Sequence, residues 1–129
     1  PGSHGTTFGG SPLACAAAHA VLDVIEEEDL VRSACEKGES LKSRLVELST
    51  AHPDLIKEVR GRGFMIALSM MVPAGKFVEG LREEGLITVP AGGESIRLLP
   101  PLNASDEEIQ EALAIIEKVV ASFNKEETS

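Results

Sequence analysis

Tryptophan and tyrosine are missing altogether, and phenylalanine occurs only four times in 129 residues. Whatever core this chain buries must be packed from aliphatic side chains. Cysteine is almost as scarce: Cys15 and Cys35 are the whole complement, in neither CxxC nor metal-ligand spacing. That excludes a CxxC redox motif and leaves two small hydrophobes expected in the interior. Positive charge is also short, with 12 Lys and Arg against 21 Asp and Glu and a formal net charge of -9. Nucleic acid and anionic membrane, both gripped through Lys and Arg, are poor fits as partners. No apolar run has the length that spans a bilayer, and the first residues lack the basic-then-apolar order of a signal peptide. A cytoplasmic location is the expectation.

What the chain does have is helical periodicity and turn chemistry, at a length that suits one domain. Ser11-Pro12 predicts a helix start, since Ser accepts a bond from a free N–H and Pro at the first position loses none. Leu13, Ala17, Ala20, Val21, Val24 and Ile25 then share one helical face. A second helix carries Leu30, Val31, Ala34, Leu41, Leu45 and Leu48 inward and stops at His52-Pro53. Strands are predicted over 56–60 and 64–70, joined as a hairpin by the tight connection Arg60-Gly61-Arg62-Gly63. Pro73 opens a short helix with Phe77, Val78 and Leu81, closed by Gly85. An extended piece at 86–89 and a strand at 95–99 follow, the latter stopped by Pro100-Pro101. Ser105-Asp106-Glu107-Glu108 is a capping box, ahead of the stripe Ile109, Leu113, Ile116, Val120 and Phe123. The order α-α-β-β-α-β-α predicts an α+β fold, a small, mostly antiparallel sheet with helices packed on it.

Two features carry chemistry. Gly2, Gly5, Gly9 and Gly10 lead into the first helix, with Thr6 and Thr7 among them. Exposed backbone N–H groups, hydroxyls and a helix N-terminus together favour an anion such as phosphate. The segment matches neither GxxxxGK[ST] nor GxGxxG, and a plain connection is the competing explanation. Arg97 is the second feature. It alternates with Ile96 and Leu98 and shares its strand face with Ser95 and Leu99. Its planar fork suits a carboxylate, whereas an arginine snorkelling from a half-exposed strand is the simpler alternative. Arg60 and Arg62 are expected as solvated turn residues or ion-pair partners of the many acids. His4, His19 and His52 have no ligand spacing, so no metal is expected.

The stretch HGTTFGGSPLACAAAHAVLDVI resembles the class III (ornithine-type) pyridoxal-phosphate aminotransferases, above all their acetylornithine branch. EVRGRGFMIAL resembles the hairpin of that family's C-terminal small domain, and ITVPAGGESIRLLPPLNASDEEI the stretch before its last helix. The likeness runs from position 1 to about 122, with Ser11 where the family usually has Asn. It implies that Thr7, supported by Thr6, binds the phosphate of pyridoxal phosphate in a neighbouring subunit of a homodimer. It implies that Arg97 binds the substrate carboxylate. Residues 1–11 would be the cofactor-phosphate loop and 12–129 the small domain. The implied reaction passes an amino group from a small amino acid, acetylornithine for that branch, to 2-oxoglutarate in arginine biosynthesis. The family's Schiff-base lysine belongs to a large catalytic domain ahead of this stretch. The chain is therefore expected to be inactive alone and to hold no cofactor by itself. A non-catalytic α+β module for amino-acid binding or assembly is the alternative.

Overall fold

The computed structural model describes residues 4–126, with side chains described to Phe123. The chain divides into two compact units, Pro1–Arg32 and Ser33–Ser129. The elements in order are α1 (Pro12–Glu27), α2 (Leu30–Ala51), β1 (Ile56–Arg62), β2 (Met65–Met70), α3 (Ala74–Glu83), β3 (Val89–Pro90), β4 (Ser95–Leu98) and α4 (Asp106–Glu126). The α+β class is as expected. The predicted extended piece at 86–89 becomes a two-residue strand, β3, and so adds one strand to the expected order.

In the first unit α1 starts where the capping chemistry puts it. Ser11 is extended (φ -66°, ψ 148°), its Oγ accepts from the Ala14 N–H at 3.4 Å, and Pro12 takes the first position. The expected inner face is not buried: α1 holds no buried residue, and Leu13 is 82% exposed. Cys15 is exposed as well, as is Cys35 on α2, which corrects the expectation of two interior thiols. Alanine-rich periodicity identified the helix correctly, but periodicity says nothing about whether a covering surface is present.

The second unit is built on a sheet of order β1-β2-β4-β3, antiparallel throughout. Period-two alternation gives it a core face and an open face. Ile66, Leu68, Met70, Ile96 and Leu98 are buried and join Leu41 and Leu45 of α2, Phe77 and Leu81 of α3, and Ile109, Leu113, Ile116 and Val120 of α4 in one cluster. A β-bulge between Ile56 and Glu58 keeps β1 in step: it lets Ile56 and Val59, three apart, oppose Met70 and Leu68 on the core side. The hairpin turn is Gly63-Phe64, between the paired Arg62 and Met65. Gly63 has φ +53°, the left-handed value that a tight hairpin requires at its first central position. Arg60 and Arg62 accordingly lie in β1, in place of the expected turn.

The caps that fix the helices were largely legible. Ser105 N–H donates to Glu108 Oε2 at 2.8 Å and Glu108 N–H to Ser105 Oγ at 3.1 Å, a complete capping box. Gly85 N–H donates to the Arg82 carbonyl and Leu86 N–H to the Leu81 carbonyl, closing α3 in a Schellman motif. Pro73 brings α3 no side-chain cap; Glu94, from the loop before β4, accepts from the Ala74 N–H at 2.7 Å instead. That bond ties the start of β4 to α3.

Two positions carry unusual stability consequences. A Cβ on Gly38 of α2 would lie 2.4 Å from the carbonyl of Gly63, so the helix meets the hairpin turn backbone to backbone. Ala ordinarily improves a helix over Gly by about 1 kcal/mol. Here the clash should reverse the sign, with Gly38→Ala expected to destabilise by about 2 kcal/mol or more in urea unfolding, as for other overpacked sites. Thr88, just before β3, is 9% exposed, and its Oγ1 has no hydrogen-bond partner among the described residues. Replacing an orphaned buried hydroxyl by a methyl of like shape removes a desolvation cost, so Thr88→Val is expected to stabilise by about 1 kcal/mol in the same assay.

Candidate functional site

The glycine loop and Arg97 belong to different units and present different chemistry. Of the loop, residues 4–11 are described; Gly2 lies outside them. The Ser11 N–H donates to the Phe8 carbonyl at 3.0 Å, which closes a turn immediately before α1. Thr6 lies against the backbone of Gly9, where a Cβ would come within 2.2 Å of the Thr6 methyl. Gly9 therefore seats Thr6, while Gly5 and Gly10 face open space. Thr6 and Thr7 are both exposed, and neither hydroxyl has a partner among the described residues. The loop thus offers two uncommitted hydroxyls beside the positive end of a helix dipole, a donor set that fits phosphate oxygens.

Arg97 sits in β4 with its neighbours Ile96 and Leu98 buried. It therefore points to the open face, as alternation predicts. Its guanidinium is exposed and has no hydrogen-bond or ion-pair partner among the described residues. An arginine kept unpaired in a chain with 21 acidic residues is free to take an external carboxylate in two parallel bonds.

The register brings a second arginine to the same face. Arg60 of β1 opposes Ala67 of β2, Ala67 opposes Arg97 of β4, and Arg97 opposes Val89 of β3. Arg60 Nη2 reaches across β2 and donates to Ser95 Oγ at 3.4 Å. Ser95 and Ser69 share a hydroxyl contact of 3.4 Å, and Ser95 is 5% exposed. Arg60 also pairs with Glu58 at 3.6 Å, so the ion-pair alternative for this residue holds. The sequence reading does not place it beside the Arg97 face because it puts the turn at Arg60–Gly63, whereas the turn is Gly63-Phe64. Counting the alternation backward from a turn at 63–64 would have found it.

Elsewhere, a cleft of about 250 Å³ is lined by Leu41, Leu86, Leu98, Pro100, Ile109 and Ile116, among other residues. Its one charged lining residue, Glu108, is engaged in the capping box, so nothing polar converges there. Among the described residues no three His, Cys, Asp or Glu side chains group as metal ligands, and no helix is long and apolar enough to cross a membrane.

The family described as aminotransferase class-III matches residues 1–120. Acetylornithine aminotransferase 1 of Bradyrhizobium diazoefficiens is 41% identical over 128 residues, covering 99% of this chain and 32% of that protein. The crystal structure of acetylornithine aminotransferase from Elizabethkingia anophelis superposes with a TM-score of 0.85 at 39% identity, covering 95% of this chain and 33% of that one. Ornithine aminotransferase from Toxoplasma gondii, described with partial occupancy of pyridoxal phosphate at its active site, gives 0.89 at 35% identity, covering 100% and 31%. The chain spans about a third of the length of the relatives it matches.

Proposed function

The chain belongs to the class III aminotransferases, pyridoxal-phosphate enzymes, and from that premise we propose that it serves as the C-terminal small domain of one. In this reading residues 1–11 are the cofactor-phosphate loop and 12–129 the small domain. The whole protein moves an amino group from acetylornithine to 2-oxoglutarate, as a step of arginine biosynthesis in the cytoplasm. The acetylornithine and ornithine aminotransferases among its relatives support that substrate class. The observation that carries the reading is Arg97, an exposed and unpartnered guanidinium on an otherwise well-paired strand.

The chain's own residues do two things. Arg97 presents two parallel N–H donors to a carboxylate and so fixes one end of the substrate in the plane of its guanidinium. Holding that end orients the carbon that carries the amino or keto group, which lowers the entropic part of the barrier. Thr7 donates its hydroxyl to a phosphate oxygen, with Thr6 seated by Gly9 behind it. In a homodimer this hydroxyl would serve the neighbouring subunit's cofactor. Pyridoxal phosphate, when bound, supplies the electron sink for the transfer. None of the chain's lysines lies in the loop or beside Arg97 in β4, so the Schiff-base lysine is assigned to the large domain and the chain alone to be inactive.

In the full-length protein Arg97→Leu is expected to lower kcat/KM at least about tenfold for both the amino donor and the keto acceptor, the worth of a charge-assisted bond. Unchanged steady-state kinetics for both substrates would remove Arg97 from the site. Thr7→Ala is expected to weaken cofactor affinity about tenfold by fluorescence titration while leaving the fold intact. An unaltered affinity would return the loop to a plain connection.

A further inference from the structure

We propose that Glu94 is a positioning residue for Arg97: its carboxylate and its carbonyl together fix where the start of β4 stands. This rests on the carboxylate reading of Arg97 and adds the residue that holds the strand carrying it. Alternation decides which way Arg97 faces. It does not decide where its strand lies relative to the rest of the unit.

β4 has little else to hold its first end. Its pairing with β2 stops at Ser69 opposite Ser95, and its other neighbour, β3, is an edge strand of two residues. The turn between β3 and β4 holds Gly92 (φ +40°) and Gly93 (φ +61°), and a Cβ on either would meet nothing within 4 Å. The bond that closes the turn, from the Ala91 N–H to the Ser95 carbonyl at 2.7 Å, joins the hairpin only to itself. Two glycines in open space leave the turn backbone permissive.

Glu94 supplies the anchor through two acceptors. Its carbonyl accepts from the Met70 N–H at 2.6 Å, where β2 ends, and its Oε2 accepts from the Ala74 N–H at 2.7 Å, where α3 begins. One residue therefore grips both ends of the 70–74 connection. Ala74 is buried, and α3 is rooted in the core by the fully buried Phe77 and Leu81, so the second grip is on a firmly packed element. The carboxylate bond is charge-assisted and lies at the positive end of the α3 dipole.

The source of this cap sets it apart. Ser11 caps α1 and Ser105 caps α4, each from the residue just before its helix. α3 has Pro73 at that place, with no side-chain cap and no acid in its first turn, and takes its carboxylate from 20 residues away. Capping alone needs no such reach, because Ser or Asp at 73 would do it. What the distant cap adds is a fixed offset between α3 and β4. Arg97 stands three residues further on, roughly 10 Å along the strand. A slack hairpin lets its guanidinium drift, and a displacement of about 1 Å at a group that orients substrate costs more than the lost bond itself.

The test sets kinetics of the full-length protein beside urea unfolding of the 129-residue chain. Glu94→Ala is expected to raise KM about fivefold for both amino donor and keto acceptor with kcat nearly unchanged, the pattern of a weakened carboxylate grip. Glu94→Gln keeps an acceptor oxygen and should keep most of the wild-type KM. Adding Pro73→Asp to Glu94→Ala gives α3 a local cap. That double variant should regain the urea midpoint while KM stays raised. In an Arg97→Leu background Glu94→Ala should raise KM no further, because it acts through that side chain. Three results would each reduce Glu94 to a helix cap and leave the role of Arg97 standing: an unchanged KM in Glu94→Ala, recovery of KM with the midpoint on adding Pro73→Asp, or an equal rise in KM with and without Arg97. If Arg97→Leu itself leaves the kinetics for both substrates at the wild-type level, both readings fall together.

Discussion

The pairing of β2 with β4 is the constraint on which the rest of the second unit depends. Ile66 opposite Leu98 and Leu68 opposite Ile96 set four aliphatic side chains against the helices. The same register necessarily sends Ala67 and Arg97 the other way. A slip of one residue would put a guanidinium into the aliphatic core and expose isoleucine and leucine. The hydrophobic driving force that holds the core therefore also aims Arg97 at the open face. No separate device is needed to present Arg97, because burying its two neighbours already does so.

That coupling explains why some features were readable and others were not. Local chemistry was legible. The Ser105–Glu108 box, the Ser11-Pro12 start, the Gly85 stop and the hairpin pair each depend on residues close together in sequence. Arg97 was legible for the same reason, since alternation within four residues is enough to aim it. The errors arose where a contact lies far away in sequence. The fit of Gly38 against Gly63 is set by tertiary packing, and no short pattern announces it. Glu94 caps a helix that begins 20 residues before it. Arg60 was expected in the turn because its strand partner Ala67 is fixed by a turn at Gly63-Phe64, one that no short pattern in Arg60-Gly61-Arg62-Gly63 distinguishes from its neighbours. The exposed Cys15 shows the complementary failure: a periodic face marks a surface able to be buried, and says nothing of whether it is covered.

The helices repeat this division of labour. Lys37 donates to the buried Ala104 carbonyl at 2.8 Å, while the long-range pairs Arg44 with Glu117 at 3.2 Å and Lys118 with Glu84 run over the outside of the second unit. Exposed ion pairs of this kind contribute little singly. The aliphatic cluster, with Phe77 and Phe123 tilted 44° to one another at 5.4 Å, accounts for most of the cohesion. A chain without tryptophan or tyrosine thus uses half of its four phenylalanines in one contact.

The open face that carries Arg97 belongs to a chain whose formal net charge is -9. To an anion arriving from solution, the far field is repulsive and only the last few ångströms are attractive. Salt acts differently on the two. Moderate ionic strength shrinks the long-range barrier, whose reach is one screening length, before it weakens contacts made at hydrogen-bond distance. Capture of a carboxylate by this face should accordingly quicken with the first additions of salt and slow only at higher concentrations, opposite to the monotonic fall seen where a basic protein gathers an anion. On the proposed reading the sheet would be a short-range trap in an unfavourable field, one that discriminates by fit more than by charge.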